Sequence, residues 1–194
     1  MPIPGGPRPT SVEPRPLAGV LARLGLGPTP ATDGVLVTGV TLSSRTVRPG
    51  DLYAALPGAR THGAAYTADA ADAGAVAVLT DPEGAERAAA SGLPVAVVDD
   101  PRARLGELAA WVYGEPGTRL LTLGVTGTNG KTTTTFLLEA ALEAAGITTG
   151  LIGTVGFRLA GRPLEGPRTT VTTPEATEVQ GLLARMRRQV QPRC

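Results

Sequence analysis

The chain has 194 residues, 42% of them hydrophobic and 18% charged, with a formal net charge of +1. That length and apolar content allow a buried core without disulfides and exclude a wholly disordered polymer. The near-zero charge offers no field to gather nucleic acid or membrane, and 3% aromatic residues are too few for a base-stacking platform. The single cysteine, Cys194, excludes an intrachain disulfide framework and suits a reducing compartment. No apolar run is long enough to span a bilayer, so no membrane insertion is expected. The N-terminal MPIPGGPRPTSVEPRP lacks the uninterrupted apolar stretch of a secretory signal, and a cytoplasmic location is expected.

Eight of the 18 prolines lie in the first 30 residues, and residues 1–30 read as a Pro-rich, mobile N-terminus with a short helix over 17–24. Residues 31–115 alternate apolar runs with Ala-rich segments. Val35–Val40, Leu52–Leu56, Ala75–Thr80 and Leu93–Val98 read as strands. Ala64–Ala73, Glu83–Ala90 and Pro101–Tyr113 read as helices, the last opened by proline. Continuous rather than alternating apolar strands point to an α/β domain with a largely parallel sheet. The turn-rich Gly114-Glu115-Pro116-Gly117 is a domain boundary. Beyond it, Leu120–Val125 reads as a buried strand, Thr132–Ala145 as a helix and Gly150–Val155 as a second buried strand. Arg158–Thr170 reads as a Gly/Pro-rich loop or hairpin, and Pro174–Gln189 as an amphipathic helix carrying Val179, Leu182, Leu183 and Met186 at helical spacing. Two strands and two helices are too few to close a doubly wound sheet, so residues 118–194 read as an incomplete domain and the chain as part of a longer protein.

Gly124-Val-Thr-Gly127-Thr-Asn-Gly130-Lys131-Thr132-Thr133 lies between an expected strand and an expected helix, the setting of a phosphate-binding loop. Glycines let backbone N–H groups converge, and the helix presents its positive end to phosphate. Lys131 would reach the β- and γ-phosphates, Thr132 would offer its hydroxyl to Mg²⁺, and Thr133 would lie near the α-phosphate. The spacing departs from the strict pattern, because Val125 stands where that pattern has its first glycine. A ligand-free glycine turn is the alternative. Four consecutive threonines, poor helix formers, weigh against it at a helix start.

At Gly127-Thr-Asn-Gly-Lys-Thr-Thr133 the sequence resembles the Mur ligases, ATP-dependent amide ligases of peptidoglycan precursor synthesis. The resemblance extends to Ser44-Arg45-x-Val47-x-Pro49-Gly50-Asp51-Leu52-Tyr53-Ala54-Ala55-Leu56-x-Gly58 and to Thr61-His62-Gly63. Gly153-Thr154-Val155-Gly156 and Thr172-Thr173-Pro174-Glu175-Ala176 resemble the member that adds the third residue of the stem peptide. The family implies an N-terminal UDP-binding α/β domain over 31–115, followed by a truncated P-loop central domain. It implies ATP and Mg²⁺ as cofactors, UDP-MurNAc-L-Ala-D-Glu as substrate and an acyl phosphate intermediate. Diaminopimelate or lysine would be the amine, held by a part of the family's fold that this sequence lacks, so the chain alone is expected to be inactive.

Carried over residue by residue, Gly127, Thr128, Asn129, Gly130, Lys131, Thr132 and Thr133 would hold ATP, with Lys131 catalytic and Thr132 on the metal. Leu42 and Ser44 would hold the uridine end of the substrate, Ala59, Arg60 and Thr61 would line the same pocket, and Thr172 and Thr173 would contact the muramoyl dipeptide. The family's Asp-Ser-Arg is Ser43-Ser44-Arg45 here, which leaves no acid at 43. Each assignment has a plainer alternative. Thr172-x-x-Glu175 is also a capping box, and Ser44 alone would be a loop serine. His62, the only histidine, has no Cys or carboxylate cluster near it in sequence and is expected to serve neither metal nor proton transfer. Asp99-Asp100 reads as a helix cap. The competing functions are a standalone UDP-sugar or nucleotide-binding module and another ligase of the superfamily, such as a folylpolyglutamate synthase.

Overall fold

A computed structural model describes residues 8–164 and 174–190 of the chain. It divides into two compact units, one built on Thr10–Glu115 and the other on the residues from Pro116 onward, which Arg8 and Pro9 join.

The first unit is organised by a parallel sheet. Strands β3 (Gly39–Thr41), β4 (Asp51–Ala55), β5 (Ala77–Thr80) and β6 (Val95–Val97) lie side by side in chain order, every neighbouring pair parallel. Each crossover is therefore long. Helix α2 (Thr67–Asp72) joins β4 to β5 and helix α3 (Ala85–Ala89) joins β5 to β6, as parallel pairing requires. Alternation along the strands separates two cores. Leu52, Ala54, Ala77 and Leu79 face one side, packed with Leu17, Val20 and Leu21 of helix α1 (Leu17–Arg23) and Leu105, Leu108 and Val112 of helix α4 (Pro101–Val112). Tyr53, Ala55 and Val78 face the other, against Ala64, Ala70 and Ala88. Both faces are covered, so the strands are largely apolar and show no polar alternation, with Thr41, Asp51 and Thr80 as buried polar residues at their ends.

Within residues 1–30, the expected helix forms and the stretch over 15–23 is packed onto the first unit rather than mobile. Arg15–Pro16 forms strand β1, antiparallel to β2 (Leu36–Val37), and α1 follows with Leu17, Val20 and Leu21 at most 5% exposed. Burying those three side chains contributes roughly 1.5–3 kcal/mol each, enough to hold the segment in place. The expected strand over 35–40 is split at Thr38, whose N–H donates to Gly50 O at 2.8 Å while its neighbours pair with different strands. Asp100 caps α4 as expected, accepting from Ala103 N at 3.0 Å.

The second unit differs more from expectation. Helix α5 (Lys131–Ala144) forms, but residues 121–126 make no strand, and Leu121 and Leu123 are 87% and 53% exposed. A strand exists only with a partner, and among the described residues none pairs with this run. Strand β7 (Gly150–Gly153) instead enters an antiparallel sheet with β8 (Gly156–Leu159) and β9 (Arg162–Pro163), so the region read as a loop or hairpin is partly strand. Helix α6 (Ala176–Val190) buries Leu182, Ala184 and Met186, and Met186 lies against Gly150. Arg158 ties β8 to α5. Its Nε donates to both carboxylate oxygens of Glu139 at 3.1 and 3.0 Å, its Nη2 donates to Gly161 O at 2.6 Å, and its guanidinium lies 5.4 Å from the Phe136 ring centroid.

Two outcomes follow from this packing. The Tyr53 hydroxyl donates to Gly63 O at 3.0 Å, and its pKa is pushed from 10.0 up to about 12 by burial first and then by Tyr66 and Asp69. The folded phenol thus keeps its proton where the unfolded one has lost it. Its contribution is fully present below pH 10.0 and is lost as pH rises toward about 12. Unfolding titrations of wild type and Tyr53→Phe across that window should converge by about 2–3 kcal/mol, the variant being the flatter; parallel curves would contradict the assignment. In the second unit, Arg158→Met leaves the Glu139 carboxylate, 6% exposed, without its cation. Native-state hydrogen exchange should show β8 opening more easily by roughly 1–3 kcal/mol, while β4 and β5 are unchanged.

Candidate functional site

The phosphate-loop segment keeps its glycine-to-helix passage without the preceding strand. Gly130 is the N-cap of α5 with φ 79°, in the left-handed region, and its side-chain position is open, with nothing within 4 Å of a Cβ built there. Backbone angle rather than space therefore demands glycine. The first helical bond runs from Thr134 N–H to Gly130 O at 2.8 Å. The N–H groups of Lys131, Thr132 and Thr133 precede that ladder, and no side chain caps them from Gly130.

Gly127, Thr128, Asn129 and Gly130 are exposed, as are Thr132 and Thr133, while Lys131 is half-buried. The Lys131 ammonium bends back over the loop, donating to Gly127 O at 2.5 Å and Thr128 O at 3.4 Å. A cation and three free N–H groups thus share one small surface. Beside it, Thr132 Oγ1 lies 3.2 Å from Thr154 Oγ1 in the β7–β8 turn. Thr154 is the neighbour that sequence reasoning left out of the site. The Gly153–Gly156 motif was its only signal, and nothing local placed it against Thr132.

In the first unit, the two stretches expected to bind the uridine end leave the same edge of the sheet, because β3 and β4 are parallel neighbours and each stretch follows the C-terminal end of its strand. That edge is where open α/β sheets bind ligands. Leu42 follows β3, half-buried against the first core. Ser44 opens a 3-10 turn (Ser44–Thr46) held by Thr46 N–H to Ser43 O at 3.0 Å and by the Thr41 and Thr46 hydroxyls, 2.8 Å apart. Ala59, Arg60 and Thr61 lie exposed on the loop after β4. Thr172 and Thr173 lie outside the described residues.

His62 has one carboxylate beside it, with Nε2 3.0 Å from Asp81 Oδ1, a pairing that the sequence did not show. The other ring nitrogen, Nδ1, accepts from Ala64 N–H at 3.0 Å. The two residues are nineteen positions apart, which is why the sequence alone kept the pair out of view. Among the described residues, no group of three or more His, Cys, Asp or Glu could hold a metal ion, and no helix is long and apolar enough to cross a membrane.

Comparison with known proteins places these loops in a family. The Mur ligase family catalytic domain matches residues 36–113, and the Mur ligase middle domain matches residues 125–191. UDP-N-acetylmuramoyl-L-alanyl-D-glutamate–2,6-diaminopimelate ligases from Streptomyces avermitilis and Streptomyces coelicolor are 58% and 57% identical over 96% of this chain. A UDP-N-acetylmuramyl-tripeptide synthetase from Leifsonia xyli is 50% identical over 94% of it. The chain spans about 36% of the length of each of these relatives. Among solved structures, a UDP-N-acetylmuramoyl-L-alanyl-D-glutamate–2,6-diaminopimelate ligase aligns over 79% of this chain and 30% of its own, with TM-score 0.57 and 25% identity. With both of its units matched by the same family, and relatives at this level of identity along nearly its whole length, the chain belongs to the Mur ligase family.

Proposed function

We propose that the chain is the UDP-substrate-binding and ATP-binding part of an ATP-dependent amide ligase that adds diaminopimelate to UDP-MurNAc-L-Ala-D-Glu during peptidoglycan precursor synthesis in the cytoplasm. The observation that carries this reading is the phosphate loop, a left-handed Gly130 and a Lys131 ammonium at the open end of α5, in a chain whose relatives bear that ligase's name. On this reading residues 31–115 form the UDP-substrate domain and residues from 118 onward belong to the ATP-binding domain.

The donors around the loop fit a triphosphate. Free N–H groups at 131–133, the ammonium of Lys131 and the hydroxyls of Thr132 and Thr133 are all groups that attract anions. Lys131 would exchange the carbonyls of Gly127 and Thr128, its present partners, for phosphate oxygens. Among the described residues no carboxylate cluster forms a metal site, Thr132 is the metal ligand this loop offers, and Mg²⁺ would arrive on the nucleotide, as that ion usually does. Bound there, Mg²⁺ supplies charge neutralisation as the γ-phosphoryl group moves.

The chemistry asks mainly for position. The γ-carboxylate of D-Glu attacks the γ-phosphorus of ATP, ADP leaves, and the amine of diaminopimelate then displaces phosphate from the acyl phosphate to form the amide. A carboxylate and a triphosphate repel each other, so Lys131 must hold positive charge where the two meet. Gly127, Thr128, Asn129 and Gly130 would cradle the phosphates, and Leu42, Ser44, Ala59, Arg60 and Thr61 would grip the uridine end, far from the reacting carboxylate. Thr172 and Thr173 are assigned to the muramoyl dipeptide on the family resemblance.

Calorimetric titration of the 194-residue chain with Mg-ATP and with UDP-MurNAc-L-Ala-D-Glu tests the proposal. Lys131→Met should weaken Mg-ATP by roughly tenfold or more, the scale of a lost charge-assisted bond, and leave UDP-substrate affinity unchanged. Equal Mg-ATP affinity in the variant, or binding of a folate in place of the UDP-substrate, would contradict it.

A further inference from the structure

We infer that His62 is a positioning residue: through Asp81 it fixes the returning end of the loop over 57–61 and so sets affinity for the uridine end of a UDP-linked substrate. The inference rests on the assignment of Ala59, Arg60 and Thr61 to that pocket.

The loop leaves β4 at Leu56 and returns at His62 and Gly63. Between them, residues 57–61 are exposed, with little packing of their own to hold a shape. The return point is held tightly. Gly63 N–H donates to Leu56 O at 2.8 Å, and Tyr53 Oη donates to Gly63 O at 3.0 Å. His62 Nδ1 accepts from Ala64 N–H, so that nitrogen carries no proton and Nε2 must carry one. Nε2–H therefore donates to Asp81 Oδ1 at 3.0 Å, and the same oxygen accepts from Gly84 N–H at 2.9 Å.

Asp81 directly follows β5. The pair thus ties the loop that follows β4 to the end of the neighbouring strand. There is no slack around it. A Cβ on Gly84 would come 2.5 Å from His62 Cε1 and 2.2 Å from Thr80 Oγ1, and one on Gly63 would come 2.8 Å from Leu56 N. The two side chains are 9% and 12% exposed. Burying polar groups costs free energy that an apolar pair would avoid. What the polar pair adds is direction, at the one point where an exposed binding loop rejoins the core. Both ring nitrogens are committed to these bonds, which leaves neither for proton transfer.

Four forms of the 194-residue chain decide the matter: wild type, His62→Asn, Asp81→Asn and Asp81→Ala. Asparagine at 62 keeps a short acceptor for Ala64 N–H but does not reach Asp81. Asparagine at 81 keeps an oxygen that accepts from both His62 and Gly84. Titration with UDP-MurNAc-L-Ala-D-Glu should show His62→Asn and Asp81→Ala weaker by roughly tenfold and Asp81→Asn close to wild type, with Mg-ATP affinity unchanged throughout. Without ligand, Gly63 N–H should exchange faster in His62→Asn while β4 and β5 stay protected. Wild-type affinity in His62→Asn, or an Asp81→Asn as weak as Asp81→Ala, would overturn the inference alone. If wild type itself does not bind the UDP-substrate, the pocket assignment falls, and with it the inferred effect on affinity. Gly63 exchange in the free chain then tests the anchor separately, and wild-type exchange in His62→Asn would overturn that too.

Discussion

Parallel pairing of β3 with β4, with Gly39 opposite Asp51, Val40 opposite Leu52 and Thr41 opposite Tyr53, is the constraint on which the first unit's site depends. Because the two strands run the same way, the segments that leave them emerge on one edge. Antiparallel pairing would have sent them to opposite edges. The tight return before β4 makes the register possible. Gly50 adopts φ 91°, its N–H donates to Gly74 O at 2.9 Å, and its hydrogen faces Thr38 Oγ1 where a Cβ would come within 2.4 Å. Asp51, 2% exposed, accepts from Arg48 N at 2.7 Å and locks the turn. The loop proposed to bind substrate is therefore placed by packing and register some distance from its own exposed residues.

The second unit solves a different problem. Among the described residues no paired strand precedes its glycine-rich loop, yet the helix start is intact. Two local devices account for that. Gly130 takes a backbone angle that turns the chain into α5, and the Glu139–Arg158 pair, with Phe136 on the guanidinium, fixes α5 to β8. The first sets the direction of the N–H groups and the second holds the helix that carries them. Thr154 then reaches Thr132 because β7 and β8 turn beside the helix start.

Most of the first unit was legible in the sequence, for a physical reason. A strand buried on both faces is largely apolar along its length, and runs such as Ala75–Thr80 and Leu93–Val98 are short, β-branched and bounded by turns. Helices closed by glycine or opened by Asp100-Pro101 were equally plain. The 120–125 run shows where local reading ends. Its apolar residues satisfy the pattern of a buried strand, but pairing is a property of two segments, and apolarity in one cannot supply the other. The glycine-rich loop was legible because its pattern is local. The His62–Asp81 pair was not, because it joins the loop after β4 to the residue that follows β5.

Hydrogen exchange across the whole chain, with and without each ligand, tests the central claim most directly, since it reports where binding occurs. UDP-MurNAc-L-Ala-D-Glu should protect amides around 42–46 and 58–64 and leave 127–133 unchanged, and Mg-ATP should do the reverse. Protection by either ligand confined to other segments, or none at saturating concentration, would contradict the account.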